Sequence, residues 1–229
     1  SYVSGTTSYI YLSYYDHGLD QIKFRIGSVG GSSANDIGLG LQDLNKKTSR
    51  DTGSDDNGKI GYGSSKVFDS VDSRYVGDKG NAYKNVRVIS SGNEASADVA
   101  VASLNNGTAV VAYYTGKELK IQYAPFSSIN SNNASSATWT TKSVSSKGGK
   151  NVAMVADAAG SLHFAYSSNS GADLYYTYMS SLTATPVTML VDSYDNVGSY
   201  CTIDVGRTTS TSSQWIPYIT YKRDASEVA

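Results

Sequence analysis

Hydrophobic and polar residues alternate along much of this chain, as in the run Leu119-Lys120-Ile121-Gln122-Tyr123. A period of two is typical of a β-strand with one buried face and one wet face. The segment from Val152 to Ala156 is instead nearly all apolar, which indicates an inner strand covered on both sides. No segment shows a convincing helical period over ten residues. The pattern therefore predicts an all-β fold.

A strand centred on tyrosine recurs at an almost constant interval. Its copies are YLSYYD (Tyr11–Asp16), VVAYYT (Val110–Thr115), HFAYSS (His163–Ser168) and YITYKR (Tyr218–Arg223). Their matching tyrosines are Tyr14, Tyr113, Tyr166 and Tyr221, separated by 99, 53 and 55 residues. A weaker copy, NGKIGYG (Asn57–Gly63), places Tyr62 in the long interval and divides it into 48 and 51. A period near 50 built from short strands is typical of propeller blades.

Each copy extends to a unit of four strands. The strand before the tyrosine strand is predicted at Ala97–Gly107, Asn151–Gly160 and Ser199–Gly206. The third strand is predicted at Leu19–Gly27, Glu118–Phe126 and Ala172–Ser180, and the fourth at Ala137–Val144 and Thr185–Val191. Asn106-Gly107 predicts a two-residue type I′ hairpin, which needs positive φ at both positions. Four strands with tight turns match one propeller blade, so residues 1–229 are predicted to form one β-propeller domain or part of one.

Residues 31–83 depart from this pattern. They overlap two loop-like runs rich in Gly, Ser and Asp, GSVGGSSAND and SRDTGSDDNGKIGYGSS. We predict a degenerate blade with long loops here, and loops on a rigid β scaffold are where binding surfaces usually lie. The repeat also starts just before a second strand and stops just after another one. Because an unclosed ring leaves open sheet edges, we expect a fragment of a longer propeller or a ring completed by another chain.

Two stretches carry a family resemblance, Val144–Tyr178 and Val191–Asp224. They resemble a repeat of bacterial surface proteins that runs V-D-S, a strand, D-x-x-G, a tyrosine strand like S-Y-Y-D and a closing L-K-Y-A. The runs LDQIKF and VDSYDN look particularly like predicted spirochaete lipoproteins, which are distantly similar to sialidases. The resemblance covers residues 1–30 and 84–229. It implies a β-propeller at a bacterial cell surface and is unspecific for function.

Composition narrows the possible partners. The net charge of -1, from 19 basic and 20 acidic residues, gives no electrostatic reason to expect nucleic acid or an anionic membrane. Charged residues make up 17%, against about 25% in an average domain, a bias common in exported β-proteins. An extracellular or cell-surface location is therefore expected, or the periplasm. No apolar run approaches the roughly 18 residues that span a bilayer.

A divergent sialidase-like glycoside hydrolase is the alternative function. Such enzymes need several arginines on a substrate carboxylate, a tyrosine nucleophile with a glutamate beside it, and an acid/base aspartate. The arginines have no fixed place in the repeat: Arg25, Arg50, Arg74, Arg87, Arg207 and Arg223. The glutamates number only three: Glu94, Glu118 and Glu227. The Asp-box S-x-D-x-G-x-x-W is absent, and nothing in the sequence locates a carboxylate pair about 5–9.5 Å apart.

Other candidate chemistry is weak. The run DTGSDDNG (Asp51–Gly58) has oxygen ligands spaced somewhat like a calcium loop, but it fits the EF-hand pattern poorly, and a solvated acidic loop is expected. His17 and His163 are the only histidines, which excludes a His-rich zinc site. We expect His163 to be packed and His17 to be solvated. The lone Cys201 excludes an intramolecular disulfide and is expected to be a small buried hydrophobe.

These observations predict no catalytic, cofactor-binding or metal-binding residue, since there is also no G-x-S-x-G elbow and no phosphate-binding glycine loop. The tyrosines at matching positions are expected to pack between blades. The less regular Tyr15, Tyr114, Tyr175 and Tyr194 are expected at strand ends and loops, where tyrosine suits protein or glycan recognition. The leading hypothesis is a non-catalytic cell-surface binding or structural module that contacts a protein or a glycan through the propeller loops, including residues 31–83. Further blades or subunits that complete the ring are the other expected partners. A lectin with one glycan site per blade is disfavoured because the blades diverge outside the tyrosine strand.

Overall fold

The computed structural model describes residues 1–5, 7–16, 20–29, 67–69, 74–76, 86–91, 98–129, 134, 137–207, 209 and 214–224. In these residues the chain forms antiparallel β-strands and one helical turn, α1 (Phe126–Ile129). The predicted all-β fold is confirmed. No helix in the described ranges is long and apolar enough to cross a membrane.

The first sheet contains four strands, with its fourth strand far along the chain. Its strands, in spatial order, are β1 (Tyr2–Ser4), β2 (Thr7–Asp16), β3 (Gln21–Val29) and β6 (Val86–Ser91). A separate two-stranded sheet pairs β4 (Val67–Asp69) with β5 (Arg74–Val76). The sequence placed the start of the repeat just before a second strand, and β1 corrects this: three residues suffice to pair with β2 from Tyr2↔Tyr9 to Ser4↔Thr7.

The segment between β3 and β6 interrupts this first sheet. Residues Gln21 to Arg25 of β3 pair with Val86 to Ser91 of β6, so residues 30–85 connect the third and fourth strands of one sheet. Such a position is that of an insertion within a single repeat unit. Most of the predicted degenerate blade at 31–83, Tyr62 included, lies outside the described residues, and that blade stays a prediction.

The next two sheets follow the predicted four-strand unit. The second sheet consists of β7 (Val99–Ser103), β8 (Ala109–Tyr114), β9 (Leu119–Ala124) and β10 (Thr140–Ser145). The third consists of β11 (Gly148–Ala156), β12 (Leu162–Ser168), β13 (Leu174–Met179) and β14 (Val187–Asp192). What we call the fourth sheet holds two described strands, β15 (Asn196–Gly206) and β16 (Ile216–Asp224).

The turn at Asn106-Gly107 differs from the predicted type I′ hairpin. Only Gly107 has a positive φ, 77°, and its N–H donates to the carbonyl of Leu104 at 2.8 Å. This geometry is a type I turn followed by a left-handed glycine. The Asn106 side chain accepts the N–H of Thr108 at 3.0 Å, which supports the turn without placing Asn106 in a left-handed conformation. Gly160, with φ 86°, closes the equivalent turn of the next sheet.

The hydrophobic core is divided among the spaces between successive sheets. Because side chains alternate along each strand, a middle sheet contributes one face to the core before it and the other to the core after it. The core between the first and second sheets includes Tyr11, Ile22, Phe24, Val111 and Tyr113. The core between the second and third includes Val110, Leu119, Ile121, Phe164 and Tyr166. The last core is smaller and includes Ala165, Leu174, Val197 and Cys201.

Polar ties also join neighbouring sheets. The Tyr11 hydroxyl donates to the Gly107 carbonyl at 2.7 Å, and the Tyr114 hydroxyl donates to Asn169 Oδ1 at 2.8 Å. The backbone N–H of Asn151 donates to Asp98 Oδ1 at 2.7 Å. Each bond connects one repeat unit to the next, so neighbouring sheets are held in a defined register as well as packed.

The sheets therefore form a stack in chain order. Extensive contacts in the described chain run from each sheet to the next, and none of them joins the fourth sheet to the first. The arrangement is consistent with propeller-like packing and does not by itself show a closed ring.

The Tyr166→Ala variant should lose about 3–5 kcal/mol of unfolding free energy, as expected for a large-to-small change in a core. Tyr166 is fully buried, and its hydroxyl is hydrogen-bonded to Thr177 Oγ1 at 2.7 Å. Urea denaturation would measure the loss. Tyr218→Ala is the control, because Tyr218 is exposed and its loss should change stability by about 0.5 kcal/mol or less. A cost for Tyr166→Ala below about 1 kcal/mol would contradict the packing described here.

Gly107→Ala should destabilise the protein more than Gly160→Ala. Both glycines have positive φ, so each variant forces alanine into the left-handed region, which costs about 1–2 kcal/mol of unfolding free energy. A Cβ at Gly107 would also lie 2.5 Å from Tyr2 Cε1 and 2.8 Å from Phe126 Cβ, whereas nothing lies within 4 Å at Gly160. We expect an additional cost of about 1–3 kcal/mol at Gly107, measured by thermal or urea unfolding. Equal costs would contradict the close packing of Tyr2 and Phe126 against Gly107.

Candidate functional site

The four matching tyrosines do not share one environment. Tyr113 and Tyr166 are buried between sheets, as predicted, whereas Tyr14 is half-buried and Tyr221 is 38% exposed. The predicted packing role is therefore wrong for Tyr221. The reason lies in the sheet: Tyr166 stacks on Tyr175 of the third strand, with ring centroids 6.0 Å apart, and the described part of the fourth sheet has no third strand.

The tyrosines outside the matching repeat positions also differ in their exposure. Tyr194 is 67% exposed in the connection before β15, as predicted. Tyr114 lies at the end of β8, as predicted, but it is buried and bonded to Asn169, so it offers no exposed surface for recognition. Tyr15 and Tyr175 are half-buried. Exposed tyrosine in the described chain therefore gathers at its C-terminal side, around the fourth sheet.

One face of the fourth sheet is polar, exposed and carries two tyrosines. Ile203 and Ile219 are cross-strand partners that pack toward the third sheet, so the alternate residues point away from it. These outward residues form a surface that we call the tyrosine face: Tyr200, Thr202, Asp204, Tyr218, Thr220 and Lys222. Tyr200 is 78% exposed and Tyr218 is 57% exposed.

A bulge in β15 explains why the Tyr200 side chain is so exposed. The strand register shifts between Ser199 and Thr202, and Tyr200 has a positive φ of 53° within this bulge. Bulges commonly re-aim a side chain. Lys222 Nζ lies 6.0 Å from the centroid of the Tyr200 ring, and the hydroxyls of Thr202 and Thr220 are 2.8 Å apart across the strands. The face thus offers aromatic surface beside a cation and a pair of hydroxyls.

A second group of polar and aromatic side chains lies on the other side of the same sheet, at its border with β14. Asp192 Oδ2 accepts a hydrogen bond from the Tyr221 hydroxyl at 2.7 Å and lies 3.4 Å from an Arg223 guanidinium nitrogen. The Arg223 guanidinium also lies 4.8 Å from the centroid of the Tyr194 ring. The N–H of Tyr194 and then the Tyr221 hydroxyl lower the pKa of Asp192, and the bond to Asp192 raises the pKa of Tyr221.

The bond to Asp192 keeps the Tyr221 phenol protonated, and the carboxylate stands where a general base would accept its proton. Among the arginines whose side chains are described, only Arg223 lies beside this pair. The other described arginines lie elsewhere. Arg25 and Arg87 belong to the first sheet, and Arg207 stacks over Trp215 at 4.0 Å. Arg50, Glu94 and Glu227 lie outside the described residues, as does the side chain of Arg74. Glu118 bonds to Ser143 within the second sheet.

His163 belongs to a buried polar network on the third sheet. Its Nδ1 is hydrogen-bonded to the Tyr176 hydroxyl at 2.8 Å, and its Nε2 lies 3.3 Å from Asp157 Oδ2. Burial raises the pKa of Asp157, but hydrogen bonds from the Ser161 N–H, His163 and the Ala159 N–H outweigh it, so the net shift is downward. Burial raises the pKa of Tyr176 to about 12. His163 is thus packed, as predicted, while His17 lies outside the described residues.

The described residues contain no group that favours a metal site or a reactive thiol. No group of three or more His, Cys, Asp or Glu side chains within them could hold a metal ion. The possible calcium loop at 51–58 lies outside them. Cys201 is buried with its Sγ 2.7 Å from the carbonyl oxygen of Asn151, and burial raises its pKa to about 11. A protonated, buried thiol behaves as a small hydrophobe, in agreement with the prediction.

Comparison of the chain with protein-family models, with curated protein sequences and with solved structures finds no match. The resemblance to bacterial surface repeats therefore stays a prediction. The geometry of the tyrosine face and of its neighbours is the basis for any functional conclusion.

Asp157→Asn should reduce the acid sensitivity of folding. Because the folded-state pKa of Asp157 is below its unfolded value of about 3.9, the carboxylate contributes stability at higher pH that is lost as the pH falls through the folded-state pKa. We expect the wild type to be more stable than the variant at pH 7 and the difference to shrink toward pH 2.5 in urea titrations. Asp204→Asn, at an exposed position, is the control. A difference independent of pH would contradict this role for Asp157.

Proposed function

We propose that this chain is a non-catalytic binding module that recognises a protein or a glycan through the tyrosine face of the fourth sheet. The observation that carries the proposal is the exposure of Tyr200 and Tyr218, 78% and 57%, on an otherwise polar strand surface. A sheet face that only meets water has no physical need for two large aromatic side chains. The bulge at Ser199 to Thr202 projects one of them outward.

Tyrosine suits this role for energetic reasons. Its ring provides a large contact area with only two rotatable side-chain torsions, so little conformational entropy is lost on binding. Its hydroxyl can exchange a hydrogen bond with water for one with a partner. Lys222, Thr202 and Thr220 surround the rings with donors and acceptors, the kind of polar surround that gives an interface its specificity.

In our proposal the stacked sheets are blades of a β-propeller. Support comes from the recurring four-strand units, from the cores between successive sheets and from hydrogen bonds that join equivalent turns, Asn105 to Ala158 and Asn169 to Lys117. A bacterial cell-surface location belongs to the same proposal and is supported by the low share of charged residues, 17%.

The non-catalytic part of the proposal is supported by the separation of the arginines with described side chains between the first and fourth sheets, since a sialidase-like site needs several arginines on one substrate carboxylate. The sialidase-like alternative draws on the Tyr221, Asp192 and Arg223 group alone. Incubation with a fluorogenic aryl α-sialoside tests that alternative directly. Turnover of this substrate that the Tyr221→Phe variant lacks would show that the chain is a glycosidase and would contradict the proposed binding module.

Replacement of both Tyr200 and Tyr218 by alanine should weaken ligand binding by about tenfold or more without unfolding the protein, as for aromatic hot spots. The wild-type chain would be screened on a glycan array and on immobilised proteins from a cell-surface extract, and hits would be titrated with the variant. Val3→Ala, at an exposed position on the first sheet, is the control. Equal affinity of the double variant for every hit would show that the tyrosine face is not the binding surface.

A further inference from the structure

Three connections meet at one end of the second and third sheets, and Asn169 joins them. Its Nδ2 donates to the carbonyl of Lys117, in the turn after β8, at 3.2 Å. Its backbone N–H donates to the carbonyl of Lys147, in the connection between β10 and β11, at 3.3 Å. Its Oδ1 accepts the Tyr114 hydroxyl at 2.8 Å. These bonds hold the three connections together as one surface, which we call the lysine platform: residues 115–118, 146–150 and 169–173.

Two glycines fix the backbone that carries the lysines between β10 and β11. A Cβ at Gly148 would collide with the carbonyl oxygen of Ser167, and a Cβ at Gly149 would lie 2.7 Å from Cδ2 of Tyr114. A glycine in a strand commonly marks such a close approach. The Ser167 hydroxyl also donates to the carbonyl of Lys150 at 3.2 Å. The main chain of this connection therefore packs directly against both sheets.

Three lysines give the platform a local positive charge. Lys117 and Lys147 are exposed, and Lys150 is half-buried. None of them belongs to an ion pair in the described part of the chain, nor does the half-buried Asp173 of the same platform. The three cations thus gather on a protein whose net charge is only -1. Their field acts over about 8 Å at physiological salt, so it attracts an anion that comes close to the platform.

Two carboxylates beside these segments have other partners. Glu118 lies 3.3 Å from the Lys120 ammonium and is hydrogen-bonded to Ser143. Asp98 accepts the backbone N–H of Asn151 at 2.7 Å. Neither carboxylate forms an ion pair with a lysine of the platform among the described contacts.

The groups around the lysines indicate the kind of partner. Ser146, Asn169 and Ser170 are exposed and offer hydroxyl and amide groups for hydrogen bonds. None of the large apolar side chains exposed in the described chain belongs to the platform, whereas the centre of a protein interface is usually apolar or aromatic. Nucleic acid needs an extended basic field, and a single strand also needs exposed aromatic rings. Separate cations among hydroxyl and amide groups therefore favour an acidic sugar.

We propose that the lysine platform binds an acidic polysaccharide. Carboxylate or sulfate groups of the polymer pair with Lys117 and Lys147, and its sugar hydroxyls exchange hydrogen bonds with Ser146 and Ser170. An ammonium is a compact point charge, so it pairs with either kind of anion. A single exposed ion pair contributes little, but repeated anions along one polymer engage several lysines at once. This surface belongs to the second and third sheets and is separate from the tyrosine face of the fourth.

Fluorescence anisotropy of the whole chain with two labelled probes tests the inference: a heparin hexasaccharide carries sulfate, and a galacturonic acid hexasaccharide carries carboxylate alone. We expect saturable binding of at least one probe at about 50 mM salt, and weaker binding as the salt concentration rises, because salt screens exposed charges. The Lys117→Gln/Lys147→Gln variant should bind about tenfold or more weakly. The probe with the higher affinity identifies the preferred anion.

The Arg207→Gln/Lys222→Gln variant is the matched control, because it removes the same charge from exposed positions in and beside the fourth sheet. It should leave the affinity for both probes unchanged. The Tyr200→Ala/Tyr218→Ala variant should also bind as the wild type does, which separates this inference from the proposed function of the tyrosine face.

Four results would overturn the inference. Neither probe binds at a protein concentration of about 1 mM, which detects even weak specific contacts. The two charge variants lose affinity equally, so that binding reports total charge and not the platform. The tyrosine variant loses binding, which would put the sugar on the tyrosine face. An oligo-glutamate peptide or a short single-stranded DNA binds the platform more tightly than both sugars, which would assign it to another class of partner.

Discussion

Packing between successive sheets is the interaction on which the rest of this structure depends. A strand that is covered on both sides, such as β12, has every residue buried because it contributes to the cores before and after it. This requirement explains why the inner strands carry almost no charge and why small residues such as Ala112 and Ala165 alternate with large ones such as Tyr113 and Tyr166. A large side chain on one side of a sheet is accommodated because its neighbour on the other side is small.

Much of this architecture could be predicted from the sequence, because alternation and the recurrence of the tyrosine strand are local properties of the chain. The four-strand units of the second and third sheets follow from them directly. The three-residue strand β1 did not show a pattern, since Tyr2 to Ser4 is too short to display a period. The turn at Gly107 was mistaken because a favoured dipeptide suggests a hairpin without deciding which of its residues takes a positive φ.

The environment of individual tyrosines depends on neighbours that are distant in sequence. The local sequence pattern therefore did not predict which of these side chains are exposed. Tyr166 and Tyr221 occupy the same position of the repeat, yet a third strand covers the first ring and none in the described chain covers the second. Tyr114 lies at a strand end, as expected, but Asn169, 55 residues later, accepts its hydroxyl proton and the ring is buried. The tyrosine face was equally hidden from the sequence, because the bulge that exposes Tyr200 leaves no clear signature in the residues around it.

The unequal cores also shape the energetics of partial unfolding. In a stack where each unit contacts only its neighbours, stability is approximately a sum of unit terms and nearest-neighbour terms. The core between the third and fourth sheets is the smallest in the described chain, so the coupling there is the weakest. The fourth sheet can then open as a cooperative unit of its own while the other three stay folded. The tyrosine face thus lies on the sheet that shares the smallest described core with its neighbour, so movement of this sheet toward a partner disturbs the fewest packed residues.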